Sequence, residues 1–222
     1  MGKVVCEHYQ KLATGGDYPK YHNYLEGEYL EDYLHDMLIC QEFARLNRLE
    51  IINQILTNYF YGDSVSVSYD GRVKIKNKFS KIDTNIWESV HNYIAVDRTI
   101  RKGAISAYEG EKVIIPINMR DGAVIGIGKS NKDFNFSAPH GAGRVMSRTE
   151  AESKVSLEDY KNSMKDVYST SVNINTIDES PFAYKSLEDI LPNITDTVDV
   201  QKIIKPIYNF KDSSSKSDWK RK

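Results

Sequence analysis

Much of the chemistry this sequence offers lies in one short run, Ser137-Ala138-Pro139-His140-Gly141-Ala142-Gly143-Arg144-Val145-Met146-Ser147-Arg148. Gly141 and Gly143 flank Ala142, so the backbone there can turn tightly and approach a ligand closely. Loops of this kind expose N–H groups that suit phosphate oxygens. Arg144 and Arg148 are four positions apart. If the chain turns helical after the glycines, both guanidinium groups share one face beside a helix N-terminus. Two forked cations on that face would bind phosphates. His140 stands at the mouth of the loop. An imidazole with its reference pKa of ~6.5 is largely neutral at neutral pH and can attack an α-phosphate. Spacing alone leaves two readings open: a phosphate-handling site with a nucleophilic histidine, or a glycine-rich turn with a solvated face.

Several elements must position this run. From Glu28 to about Phe60, Leu30, Leu34, Met37, Leu38, Ala44, Ile51, Ile52, Ile55 and Leu56 recur at three- and four-residue steps, which predicts helix. The length suggests two helices with a break near Asn47. Val65, Val67 and Tyr69 alternate with serines, Asp70-Gly71 follows, and Val73 and Ile75 alternate with lysines. That pattern predicts a β-hairpin with a type I′ turn. Lys112–Pro116 and Ala123–Ile127 read as strands. Ser156 predicts the start of a helix reaching about Tyr168, with Asp159 completing a variant capping box. A shorter helix is expected after Ser186. Gly15-Gly16-Asp17-Tyr18-Pro19 reads as a loop, and residues 212–222 as a disordered polar tail. Strands and helices mix without a βαβ rhythm, so the expected class is α+β.

Composition narrows the setting. The chain has 222 residues, 40% hydrophobic, with a formal net charge of -1. It is long enough for one sizeable core. Bulk charge neither argues for nor excludes a polyanionic partner, because a local basic patch suffices. Cys6 and Cys40 form no spaced motif, and Cys40 falls in an apolar helical pattern as a small core residue. No apolar run is long enough to span a membrane, and no signal-peptide pattern opens the chain. A soluble protein in the reducing cytoplasm, with no membrane partner, is the expectation.

The string Ser-Ala-Pro-His-Gly-Ala-Gly-Arg-x-Met-Ser-Arg resembles the signature of the RtcB family of RNA ligases. The resemblance continues upstream in Tyr33-Leu34-x-Asp36-Met37, Ala44-x-x-Asn47-Arg48, Val90-His91-Asn92-Tyr93, Arg101-Lys102-Gly103-Ala104 and Ile115-Pro116-Ile117-Asn118-Met119. Downstream it takes in Asp178-Glu179-Ser180-Pro181, Ala183-Tyr184-Lys185, and Lys205-Pro206 through Lys211. It covers the chain from about Gly2 to Lys211.

That resemblance implies a mechanism. RtcB ligases join an RNA end bearing a 2′,3′-cyclic phosphate or 3′-phosphate to a 5′-hydroxyl end. They use GTP and manganese (Mn2+) and pass through a histidine–GMP intermediate. By the resemblance His140 is the guanylylated nucleophile, and Gly141, Ala142 and Gly143 contact the nucleotide. Arg144 and Arg148 hold phosphates of GMP or RNA. His91 matches a metal ligand and lies, with Asn92, against the nucleotide. Pro116, Ile117, Asn118 and Met119 match a nucleotide-contacting segment. Lys211 matches the closing lysine that reaches guanine, and Tyr184 falls near the same pocket. His8, His22 and His35 match nothing and read as surface or structural residues.

The sequence also departs from the family. Ile100 stands where many members have histidine, Asn118 falls in a segment where many have Gly-Ser-Met, and Ala123 replaces a serine or threonine contact. Asp212 follows Lys211 where glycine is usual. The family's N-terminal metal ligands do not appear, so the mixed sheets and helices are expected to lack the N-terminal part of the family fold. Residues 1–211 then form a C-terminal portion of a ligase, nearly inactive by itself. Its expected partners are RNA ends, a separate N-terminal half, and an archease-like activator. The other reading is a non-catalytic fragment that binds nucleotide or RNA ends.

Overall fold

The computed structural model describes residues 2–13, 23–76 and 81–211. The expected Gly15–Pro19 loop, His22 and the expected tail lie outside these residues. The chain divides into two compact units, Met1–Trp87 and Glu88–Lys222, taken in turn below.

The first unit contains helices α1 (Gly2–Leu12) and α2 (Gly27–Tyr59), and strands β1 (Ser64–Val67), β2 (Arg72–Lys76) and β3 (Lys81–Asn85). Buried Tyr9 joins the helices: its hydroxyl donates to Asp36 Oδ2 at 3.1 Å, and its ring meets Tyr33 edge-on at 5.3 Å. The expected break near Asn47 does not occur, and α2 is one helix of 33 residues. A lone asparagine costs a helix only about 0.7 kcal/mol, and good helix formers flank it. Cys40 is half-buried rather than enclosed in a core.

The hairpin is present, in antiparallel order β1-β2-β3, with Val73 and Ile75 buried opposite Val67 and Val65. Its turn differs from the expected type I′. Gly71 N–H donates to Ser68 O at 2.9 Å, and the positive φ falls on Gly71 (+83°) and not on Asp70. The link is therefore a type I turn followed by a left-handed glycine bulge, the longer of the common hairpin solutions.

The second unit holds strands β4 (Tyr93–Ile94), β5 (Ile100–Arg101), β6 (Ala104–Ser106), β7 (Lys112–Asn118), β8 (Gly122–Gly128) and β9 (Ser137–Pro139). Helices α3 (Arg148–Lys154), α4 (Leu157–Ser163) and α5 (Leu187–Ile194) and strand β10 (Val198–Ile204) follow. The main sheet has the antiparallel order β10-β8-β7, beside two-stranded ladders β4-β5 and β6-β9. Val113, Ile115 and Ile117 alternate inward along β7. They meet Val124, Val198, Ile190 and Ile194 in one core that also takes in Ile105, Ala138 and Ala142. A second core gathers Met119, Tyr160, Met164, Val167 and Ile177.

Capping sets two helix starts as the sequence predicts. Ser156 Oγ accepts from Asp159 N–H, and Ser186 with Asp189 forms a reciprocal capping box. Helix α4 stops at Ser163, short of Tyr168. The next turn tightens, Val167 N–H donating to Met164 O at 3.0 Å, and this delivers both side chains to the second core. The class is α+β. Among the described residues, no helix is long and apolar enough to cross a membrane.

Candidate active site

His140 leaves the end of β9, which pairs with β6 so that Ala104 stands opposite Pro139. This register sets Gly103, just before β6, against the histidine. His140 Nδ1 lies 2.6 Å from Gly103 O. A carbonyl oxygen can only accept, so Nδ1 carries a proton, and whenever the ring is neutral the lone pair is on Nε2. Gly103 has φ of +71°, a conformation that favours glycine. On one face of His140 lies His91, its ring stacked at 4.9 Å and 13°. Desolvation first, then the charge of Lys102 and of His140 whenever that ring is protonated, lower the His91 pKa from the ordinary imidazole range. The shift favours the neutral ring, the form that can donate a lone pair.

The glycine loop rests on an edge strand. Strand β7 lies at the margin of its sheet, where proline is tolerated and a carbonyl is left outside the ladder. Pro116 O takes the N–H of Ala142 at 3.0 Å, and the Ala142 methyl enters the first core. Beyond it Gly143 O accepts from Lys185 N–H at 3.1 Å, and Val145 N–H donates to Ala183 O at 2.9 Å. The residues after the glycines are therefore extended, with Arg144 bridged to Tyr184. This corrects the expectation that Arg144 and Arg148 share a helical face. Only Arg148 is helical, as the first residue of α3, because Ser147 caps that helix and the Ala183–Lys185 segment holds the chain before it.

A carboxylate joins the cations instead. Glu179 Oε2 accepts from the Tyr184 hydroxyl at 2.8 Å and lies 3.1 Å from Lys211 Nζ. Its Oε1 lies 3.7 Å from Arg144 Nη1 and 3.9 Å from Arg148 Nη2. Burial by itself would raise the Glu179 pKa. The hydrogen bonds from Tyr184 and Lys211, with the charges of Lys211 and Arg144, outweigh it and hold the carboxyl below its usual range. The same contact works the other way on Tyr184: burial first, then the Glu179 carboxylate, push its pKa up to about 12. Arg144 lies over the Tyr184 ring at 4.9 Å and also donates to Tyr184 Oη, Met146 O and Asp178 O. Ser171 Oγ holds Lys211 from both sides, accepting its N–H at 2.9 Å and donating to its carbonyl at 2.8 Å.

These groups surround a cavity of about 740 Å3. Of the residues singled out in the sequence, His91, Pro116, Ile117, Asn118, Met119, His140, Gly141, Ala142, Gly143, Arg144, Tyr184 and Lys211 line it, and Asn92 and Arg148 do not. Asn118 lines the wall with its carboxamide engaged: Oδ1 accepts from Arg120 and Asp121 N–H, and Nδ2 donates to Asp121 Oδ2 at 2.8 Å. Ala123 offers only a methyl, and Ile100 is an exposed strand residue outside the lining. His8 and His35 are exposed. Sequence reasoning missed Glu179 as the hub, Gly103 as the partner of His140, and Ser171 as the anchor of Lys211. The first two sit inside strings quoted for their resemblance, but only their contacts show what they do. Among the described residues no three histidine, cysteine, aspartate or glutamate side chains cluster as a metal site.

The family model described as "tRNA-splicing ligase RtcB" matches residues 1–212. The chain is 32% identical over 185 residues to the RNA-splicing ligase RtcB of Escherichia coli strain K12, and equally to RNA-splicing ligase RtcB1 of a second Escherichia coli strain. Each alignment covers 80% of this chain and 43% of the relative, so the chain spans less than half the length of either.

Proposed function

We propose, from the premise that this chain belongs to the RtcB family, that it carries the guanylylation half of an RNA ligase. In this reading His140 Nε2 attacks the α-phosphorus of GTP. A P–N bond forms and pyrophosphate leaves. An RNA 3′-phosphate oxygen then attacks the phosphoramidate, which returns the electron pair to Nε2 and leaves GMP on the RNA end. A 5′-hydroxyl displaces GMP and completes the phosphodiester. A 2′,3′-cyclic end must first be opened by water to the 3′-phosphate. The observation that carries the proposal is the Gly103 carbonyl on His140 Nδ1 at 2.6 Å, which leaves Nε2 with its lone pair on a residue that lines the cavity.

The remaining roles follow from position. The N–H groups of Gly141 and Gly143 suit phosphate oxygens, whereas Ala142 N–H already serves Pro116. Lys211, with Glu179 and Tyr184, forms the polar end of the cavity, suited to the donor and acceptor edge of guanine. The described residues do not assemble a manganese site. By the resemblance His91 would be one ligand, and a separate N-terminal portion is the proposed source of the others. RNA ends are the proposed substrate, and an archease-like activator a further proposed partner.

The test is intact mass spectrometry of the folded chain with GTP and Mn2+, alone and with the N-terminal portion of a relative added. A GMP adduct absent from His140→Ala supports the reading. No adduct in either mixture, or one that survives His140→Ala, refutes it.

A further inference from the structure

We propose that Asn92 is a positioning residue, whose carboxamide orients Gly103 so that the Gly103 carbonyl holds His140 in its Nδ1–H tautomer. The inference rests on the reading of His140 as nucleophile.

Four observations support it. Asn92 Oδ1 accepts the Gly103 N–H at 2.8 Å, and Asn92 is absent from the cavity lining. Asn92 itself has φ of +58°, a left-handed conformation that asparagine tolerates better than most residues and that a branched side chain would resist. Gly103 is held on its other flank too, because Ala104 pairs with Pro139 in the β6-β9 ladder. Arg101 adds a tie between the same two segments, its Nε donating to Ser137 Oγ at 3.0 Å.

The physical need for such a clamp lies in the glycine. Between the Gly103 N–H and its carbonyl stand only φ and ψ of a glycine, which no side chain restricts. A carbonyl on a free glycine could swing away from His140. The ring would then populate both neutral tautomers, and in one of them Nε2 carries the proton and cannot attack. The His140 N–H holds the carbonyl only at 3.4 Å, so fixing the Gly103 N–H from Asn92 and the following residue from β9 is what keeps the carbonyl directed toward Nδ1. The carboxamide therefore acts two bonds removed from the nucleophile, through the backbone.

The experiment reads the tautomer directly and needs neither nucleotide nor metal. Two-bond 1H–15N correlation spectra of the full chain are recorded about 2 units above the ordinary imidazole pKa of ~6.5, where the ring is neutral. The His140 signals are assigned by their loss in His140→Gln. The parent should show a protonated Nδ1 and a bare Nε2. Asn92→Gly keeps the positive φ without strain and deletes the acceptor. Its Nδ1–H to Nε2–H ratio should fall about fivefold, the factor that ~1 kcal/mol of hydrogen-bond free energy represents. Asn92→Ser, whose hydroxyl is too short to reach Gly103, should do the same if the glycine variant does not fold. Asn92→Asp keeps the acceptor and should restore the Nδ1–H form. An unchanged ratio in a folded Asn92→Gly or Asn92→Ser chain overturns the proposal, as does loss of the Nδ1–H form in Asn92→Asp. Failure of the ligase reading would show separately, as an absent or His140-independent adduct with the tautomer result intact.

Discussion

Replacing Glu179 by glutamine should destabilise the chain, and by an amount that disappears in acid. Among the described residues the carboxylate meets four partners, of which Tyr184 at 2.8 Å and Lys211 at 3.1 Å are within hydrogen-bond reach. Glutamine can still accept from both, so each bond loses its charge assistance rather than its geometry, about 1 kcal/mol apiece. The arginine pairs at 3.7 and 3.9 Å add little, since long and partly exposed pairs contribute near zero. The expected loss is about 2 kcal/mol at neutral pH, or roughly 4–8 °C in Tm for a chain of this size.

The pH dependence follows from the depressed pKa of Glu179. A carboxyl whose folded pKa lies below its unfolded value, ~4.3, contributes stability present above that value and lost as pH falls through the folded pKa. The gap between parent and Glu179→Gln should therefore close below about pH 4. Urea unfolding at a series of pH values measures it. A gap under about 0.5 kcal/mol at neutral pH, or one that persists unchanged in acid, would refute the reasoning.

Two further outcomes are expected. The Tyr184 phenol titrates near 12 in the folded chain against 10 for the free group, so its contribution is complete below pH 10 and is lost between about 10 and 12. Tyr9, Tyr33 and Tyr160 are also shifted upward, so Tyr184→Phe should shrink the alkaline limb rather than abolish it, and the variant's phenolate absorbance should show one fewer late-titrating tyrosine. Gly122→Ala should cost at least 3 kcal/mol or prevent folding, because the new Cβ would stand 1.9 Å from Ile204 O at a φ of +87°. A soluble Gly122→Ala chain with parental urea midpoint would show that β8 and β10 do not approach as described.

How much of this was legible in the sequence depends on the range of each interaction. The hairpin could be read because Val65, Val67, Val73 and Ile75 alternate along a few residues, and the starts of α4 and α5 because a cap acts over three positions. The turn type could not, since Asp70-Gly71 is compatible with both φ patterns, and only the strand register decides between them. The apolar pattern of α2 showed helix but not its continuity, because apolar residues on several sides of it suit two short helices as well as one long one. At the candidate site, His140 and the glycines were visible as types and spacing. The clamps on them were not. Gly103 is 37 positions from His140, and Ser171 is 40 from Lys211. Contacts of that separation leave no periodic trace, and a glutamate such as Glu179 reads in sequence as one more surface charge.

The two arginines of the motif show what that limit hides. Four positions apart, they invite the same role, yet the fold divides the work between them. Arg144 uses three of its five N–H groups on Met146 O, Tyr184 Oη and Asp178 O, and covers the Tyr184 ring. It fastens the loop after the glycines to the segment 178–184 and keeps two donors in a fixed direction. Arg148 begins α3 with its side chain 69% exposed and, among the described residues, in long pairs only, 3.6 Å to Asp178 and 3.9 Å to Glu179. A side chain so loosely held can swing to an incoming phosphate at little cost, whereas moving Arg144 would break three bonds and uncover Tyr184. Within the proposed ligase, Arg144 is therefore suited to a phosphate whose place is set by the cavity, and Arg148 to one that arrives on the RNA.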